Sequence, residues 1–193
     1  MVTPAGNLDM YEVAYLCGGP ERVALAAVVA MQQDGRLKIS RTRHRVQAVH
    51  RRADHPVEQA VLDAVPNSGQ VLGQVLHDVA HWAATGELVD GLRGRGLVGH
   101  HSLTGHPHLS GAGREARREL EDSGARVSRD RRVAVLGASG IVDAGLRDIL
   151  QTPDPPPGGR LVPKTRKREG PITYPGMPSD QDMPEHPGIS GRW

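Results

Sequence analysis

Pro20-Glu21-Arg22-Val23-Ala24-Leu25-Ala26-Ala27-Val28-Val29-Ala30-Met31 runs through Asp34-Gly35 into Arg36-Leu37-Lys38-Ile39-Ser40-Arg41-Thr42-Arg43-His44-Arg45-Val46. The change of period between these halves decides the fold. The first half is apolar around most of a helical circumference, which predicts a helix over about 21–33 at the centre of a core. Gly35 ends it. Beyond it Leu37 and Ile39 alternate with Arg36, Lys38 and Ser40, and Val46 and Val49 follow a basic turn. Period two with β-branched residues predicts a hairpin. A helix feeding a two-stranded wing is a winged-helix-like unit.

Toward the N-terminus, Asn7 or Asp9 can cap a short helix carrying Leu8, Tyr11, Tyr15 and Leu16 at three-and-four spacing. Cys17-Gly18-Gly19-Pro20 stops that helix and starts the next. Toward the C-terminus, Asp54-His55-Pro56 opens a helix with Val57, Ala60, Val61 and Ala64 on one face, and Pro66-Asn67-Ser68-Gly69 breaks it. Val71, Leu72, Val75, Leu76, Val79 and Trp82 then predict a helix over about 70–84. A short helix near 87–93 leads into Gly94-Arg95-Gly96-Leu97-Val98, the same order as Asp34-Gly35-Arg36-Leu37-Lys38-Ile39. The second half thus repeats the first more weakly, with 99–109 as its wing and a charged helix over 114–122.

The expected fold class is mainly α with small β-hairpins, arranged as tandem winged-helix-like halves over 1–53 and 54–125. An apolar segment and short helix over 126–151 pack on the core, and a Pro-rich tail over 152–193 is expected to be disordered. That tail holds ten of the 15 prolines and few apolar clusters, so it cannot bury enough surface to offset chain entropy.

The 193 residues are 37% hydrophobic with no Phe, so the core must be built from Val, Leu and Ala, which suits close helix packing. The net charge is +2, and Arg supplies nearly all of the positive charge, Lys occurring only at 38, 164 and 167. A single Cys17 excludes an intramolecular disulfide framework and fits a reducing cytoplasm. The N-terminus lacks a signal-peptide pattern, and the longest apolar run falls short of the about 20 residues that span a bilayer. These features predict a cytoplasmic protein with no transmembrane span.

The leading candidate surface is basic. Arg36, Lys38, Arg41, Arg43, Arg45, Arg51 and Arg52 come without an intervening acid, and on a protruding hairpin they can meet nucleic acid phosphates or an anionic membrane surface. A solvated hairpin whose charges block edge pairing is the simpler reading. The helix over 21–33 presents almost only Ala and Val after Arg22, which offers nothing to base edges. His77 and His81 stand four apart on one helical face with Asp78 between, a spacing that allows two metal ligands, with a third from His100, His101, His106 or His108. Asp is a methylene shorter than the usual glutamate base in that pattern.

Val133-Ala134-Val135-Leu136-Gly137-Ala138-Ser139-Gly140-Ile141-Val142 imitates the strand and glycine turn of a dinucleotide-binding domain. Such a unit needs a further helix and strand, whereas here Pro153-Asp154-Pro155-Pro156-Pro157 follows within a short helix. An apolar segment packed on the helices is the alternative. Lys164-Thr165-Arg166-Lys167-Arg168 forms a compact basic cluster, and no nucleophile elbow or phosphate loop is present.

Leu8 to Pro20, His55 to Ala64, and Val133 to Leu150, in that order, resemble an uncharacterised family of actinobacterial proteins often described as membrane proteins. The likeness covers about residues 8–150, and the Pro-rich tail stands where that family's hydrophobic segments come. A fainter likeness to Golgi-phosphoprotein-like helical proteins lies in the helix, Gly-Arg-Leu turn and hairpin; eukaryotic members bind phosphoinositide head groups and cytoplasmic tails of membrane enzymes. Neither resemblance implies catalytic residues here. The expected function is a non-enzymatic protein-interaction or regulatory module without cofactor. A DNA-binding regulator using the basic wing is the first alternative, and a metal-dependent hydrolase using His77 and His81 the second.

Overall fold

The capping box that opens the first helix is complete: the Glu12 amide donates to Asp9 Oδ1 at 2.8 Å, and the Asp9 amide donates to Glu12 Oε2 at 3.0 Å. A computed structural model describes residues 7–99, 108–123, 128, 131–152 and 154. Helix α1, Met10–Gln33, spans both helices expected from the sequence, and its backbone leaves helical geometry at Gly18 and Gly19. Gly19 sits at φ 73°, a conformation open to glycine, and Pro20 begins the second segment.

Val23, Ala24, Ala27, Val28 and Met31 of that second segment are fully buried. At about 1.5–3 kcal/mol per buried Val or Leu side chain, α1 is the largest single contributor to the core. By length and mean hydropathy of 1.3 it would also pass as a membrane span, yet 61% of the relevant window is covered by the rest of the chain. Here it is the central core helix.

Two helix ends repeat one geometry. At the end of α1 the Arg36 amide donates to the Met31 carbonyl at 2.9 Å and the Gly35 amide to Gln32 at 3.1 Å. At the end of α4, Glu87–Gly94, the Leu97 amide donates to Leu92 at 3.0 Å and the Gly96 amide to Arg93 at 2.9 Å. Both are Schellman caps with a left-handed glycine, φ 73° at Gly35 and 72° at Gly96. Each cap leads into an antiparallel pairing. After Gly35 come β1, Leu37–Ser40, and β2, Arg45–Ala48, in the register Leu37↔Ala48 to Ser40↔Arg45. After Gly96 the pairing is a single bridge, Val98↔Leu109. Most of the expected second wing, 100–107, lies outside the described residues, as does the tail beyond 154.

The protein is therefore mainly helical with one small antiparallel sheet. Its third strand was expected to be helix: Gln70 and Val71 form β3, pairing with Val46 and Arg45, and only Leu72 begins α3, Leu72–Thr85. Gly69, at φ 78°, turns the chain along β2, and the Leu72 amide extends the pairing by donating to the His44 carbonyl at 2.8 Å. Residues on either side of the 53/54 division thus share one sheet and one core.

Helix α2, Pro56–Ala64, buries Val57, Glu58, Val61 and Leu62, a face rotated from the expected Val57, Ala60, Val61 and Ala64 so that it includes a carboxylate. Helix α5, Gly111–Asp122, is capped by Ser110. The apolar run from Val133 is not a strand: it forms α6, Arg132–Leu136, then a 3-10 turn over Gly137–Gly140, with Val133, Ala134, Val135 and Ile141 buried. Arg22 of α1 fastens it by donating to the Val135 carbonyl at 2.8 Å. Helix α7, Ala144–Gln151, follows with Asp143 as its cap.

Candidate functional site

The seven basic residues singled out in the sequence divide into two groups. Arg36 turns inward. Its Nη1 and Nη2 donate to Glu58 Oε2 and Oε1 at 2.6 and 2.9 Å, Nη2 donates to Asp34 Oδ2 at 2.7 Å, and Nη1 reaches the Arg52 carbonyl at 3.3 Å. Arg45 Nη2 donates to the Gly69 and Ser68 carbonyls at 2.7 and 3.2 Å, which holds the turn before β3 against β2. Arg51 donates to the Leu62 and Val65 carbonyls. Those are end-of-helix acceptors of α2, where a cation also meets the negative end of the helix dipole. Arg52 pairs with exposed Asp54 at 3.1 Å.

The remaining three lie on the hairpin and its tip. Lys38, paired across the strands with Gln47, stands on the sheet face opposite buried Leu37. Lys38 and Arg43 are exposed and form no side-chain hydrogen bond or ion pair with the described residues. Arg41 is 67% exposed and meets Asp143 only at 3.4 Å. Surface pairs of that kind contribute little.

Behind the hairpin, Glu58 is the hub of a buried hydrogen-bond network. Besides Arg36 it accepts from the Tyr11 hydroxyl at 2.9 Å and the Asp54 amide at 2.9 Å. Burial alone would raise its pKa, but the hydrogen bonds from Arg36, the Asp54 amide and Tyr11 outweigh burial and hold it at about 2. The same bonds raise Arg36 above its ordinary value. Burial, then the Glu58 charge, raises the Tyr11 phenol well above 10. His55 stacks near Tyr11 with ring centroids 4.5 Å apart, and it caps α2 by accepting from the Val57 amide at Nδ1, 3.1 Å. Its Nε2 lies 3.5 Å from Asp9 Oδ2.

Chemically this cluster is closed. Glu58 stays ionised and Tyr11 stays protonated through the neutral range, so neither is matched to proton transfer there. The network joins α1, the hairpin and α2. Sequence reading missed it because Glu58, next to polar Gln59 in the first turn of α2, carries no local sign of burial. Beside the network lies a cavity of ≈ 300 Å³ between α1, α2 and α6.

His77 and His81 are both exposed on α3, and among the described residues no group of three or more His, Cys, Asp or Glu side chains could hold a metal ion. His100, His101 and His106 lie outside those residues, while His108 is exposed. Cys17 is buried, and burial pushes its thiol up to about 11. The fold and the closed cluster define a helical protein with a cation-tipped hairpin. No family model, no curated protein and no solved structure matches the chain.

Proposed function

We propose that the chain is a non-enzymatic interaction or regulatory module that meets an acidic surface of a protein partner with the tip of the β1–β2 hairpin. The observation that carries this reading is the division of the basic segment: Lys38, Arg41 and Arg43 are exposed on the hairpin, Arg36 and Arg45 are committed to contacts within the fold, and of the exposed pair that follows, Arg51 donates to carbonyls at the end of α2 and Arg52 pairs with Asp54. Lys38 on β1 and Arg41 and Arg43 in the turn offer three exposed cations to a cluster of carboxylates. Duplex DNA is the less favoured partner, since neutralising three phosphates gives a salt slope of only about −2.7, too small for firm binding at physiological salt. The second α1 segment, which leads into the hairpin, is buried and so is not free to read bases. A reducing cytoplasmic setting belongs to the same reading and is supported by the single cysteine.

The test is fluorescence anisotropy with three probes: an acidic glutamate-rich peptide, a short duplex DNA, and vesicles containing phosphatidylserine. Saturable binding of the peptide, lost when Lys38, Arg41 and Arg43 are all changed to Ala, is the expected result. Peptide binding that survives the triple substitution overturns the reading. Stronger retention of duplex or vesicle than of peptide transfers the hairpin to a phosphate partner instead.

A further inference from the structure

The cavity beside the Glu58–Arg36 pair plays no part in the hairpin reading, and its lining has a definite chemistry. One wall is apolar: Ala26, Val29 and Ala30 of α1 with Met10 and Val133. Ala26, Val29, Ala30 and Gln33 follow at i, i+3, i+4 and i+7, so a single stripe of α1 runs from the apolar wall to a polar end. That end is made by Gln33, Asp34, Arg36 and Glu58. At protein-like packing density, ≈ 300 Å³ holds about a dozen non-hydrogen atoms.

The polar end has two carboxylates and one guanidinium. Glu58 and Arg36 satisfy each other through two hydrogen bonds, and Tyr11 and the Asp54 amide fill the remaining acceptor sites of Glu58. Asp34 touches Arg36 through Oδ2 at 2.7 Å, and among the described residues its Oδ1 accepts no side-chain bond. The uncompensated charge is therefore one negative, placed at the mouth on a carboxylate that is 59% exposed. An anionic ligand would face two carboxylates, with the one guanidinium already committed. A cation finds a free acceptor.

We propose that this cavity binds a small primary amine, its ammonium held by Asp34 and the Gln33 amide oxygen and its apolar body lying along Ala26, Val29 and Ala30. The proposal is independent of the partner-binding reading, because Lys38, Arg41 and Arg43 are not among the residues that line the cavity.

Three probes of matched size separate the charge types: 2-phenylethylamine, phenylacetate and 2-phenylethanol, titrated into the isotopically labelled full chain and followed by methyl and amide shifts. The amine should saturate, shift the methyls of Ala26, Val29 and Ala30, and bind roughly fivefold or more tightly than the alcohol, with the carboxylate weakest. Asp34→Asn should bring the amine down to the level of the alcohol and leave the alcohol unchanged. Ala30→Leu, which adds bulk to the wall, should weaken all three. Equal or tighter binding of the carboxylate, shifts centred elsewhere, or no saturable binding of the amine at millimolar concentration would overturn the proposal. Should Ala30→Leu fail to fold, Asp34→Asn decides, and an unchanged amine affinity there counts against the site.

Discussion

Arg36 and Glu58, 22 positions apart, form a two-pronged ion pair at 2.6 and 2.9 Å with side chains only 13% and 9% exposed. The pair ties the residue that follows the Gly35 cap of α1 to the first turn of α2. A buried pair of this kind adds little over a well-packed apolar pair, but breaking one half leaves the other charge stranded.

Glu58→Gln keeps the shape and removes the charge. The amide can still accept from Tyr11, while Arg36 keeps the exposed Asp34, the Arg52 carbonyl and the more distant Asp54 but loses its buried counter-charge. The expected loss is about 2–3 kcal/mol of unfolding free energy, between the loss of one charged hydrogen bond and the full breakage of a buried pair. Urea unfolding should show a lower midpoint at an unchanged slope.

The same carboxylate sets an acid limb. In the folded chain Glu58 is held at about 2, against about 4.3 for a glutamate in an unfolded chain. Its contribution is fully present above about pH 4.3 and is lost as pH falls toward 2, because the unfolded chain takes up the proton first. Urea midpoints measured from pH 6 down to pH 2.5 should fall for the wild type, and Glu58→Gln should flatten part of that fall. Parallel curves would mean that Glu58 is ordinary.

The two Schellman caps offer a matched pair. Around both Gly35 and Gly96 there is open space for a Cβ, so only the backbone conformation opposes a side chain. Gly35→Ala and Gly96→Ala should each cost about 1 kcal/mol, and by similar amounts. A thermal unfolding series that finds one cap costly and the other neutral would break the equivalence of the two halves at this point.

Cys17 is 4% exposed, and burial pushes its thiol up to about 11. A thiol of that kind presents almost no thiolate at pH 8. Ellman's reagent should therefore react only as fast as the chain opens, and the rate should jump on adding urea. Reaction at the rate of a free cysteine in the native chain would contradict the burial.

Much of this fold was legible in the sequence where local chemistry decides the outcome. The cap at Asn7 or Asp9, the break at Gly18-Gly19-Pro20, the stop at Gly35 and the alternation of Leu37 with Ile39 are short-range signals, and the structure has each of them, with Asp9 as the cap and Gly35 left-handed. The strand Gln70–Val71 was not legible, because two residues cannot show a period and Val71 also fits the helical stripe of α3. Nor could the apolar run from Val133 declare itself, since β-branched residues suit a buried helix once α1 packs on it; the Arg22 bond to Val135 comes from 113 positions away. The basic segment was misleading for the same reason. A run of like charges reads as a surface, yet Glu58 draws Arg36 inward, the carbonyls of the turn before β3 hold half-buried Arg45, and those at the end of α2 engage Arg51 at the surface.

That division of the basic segment into an inner latch and an outer tip is the centre of the account, and paired stability measurements test it directly. In urea unfolding at pH 7, the triple variant Lys38→Ala, Arg41→Ala, Arg43→Ala should stay within about 0.5 kcal/mol of the wild type, since surface substitutions of this kind are nearly neutral. Arg36→Met should lose about 3 kcal/mol by leaving Glu58 charged and buried without its partner. A tip variant as damaged as the latch variant, or an Arg36→Met chain as stable as the wild type, would contradict the account.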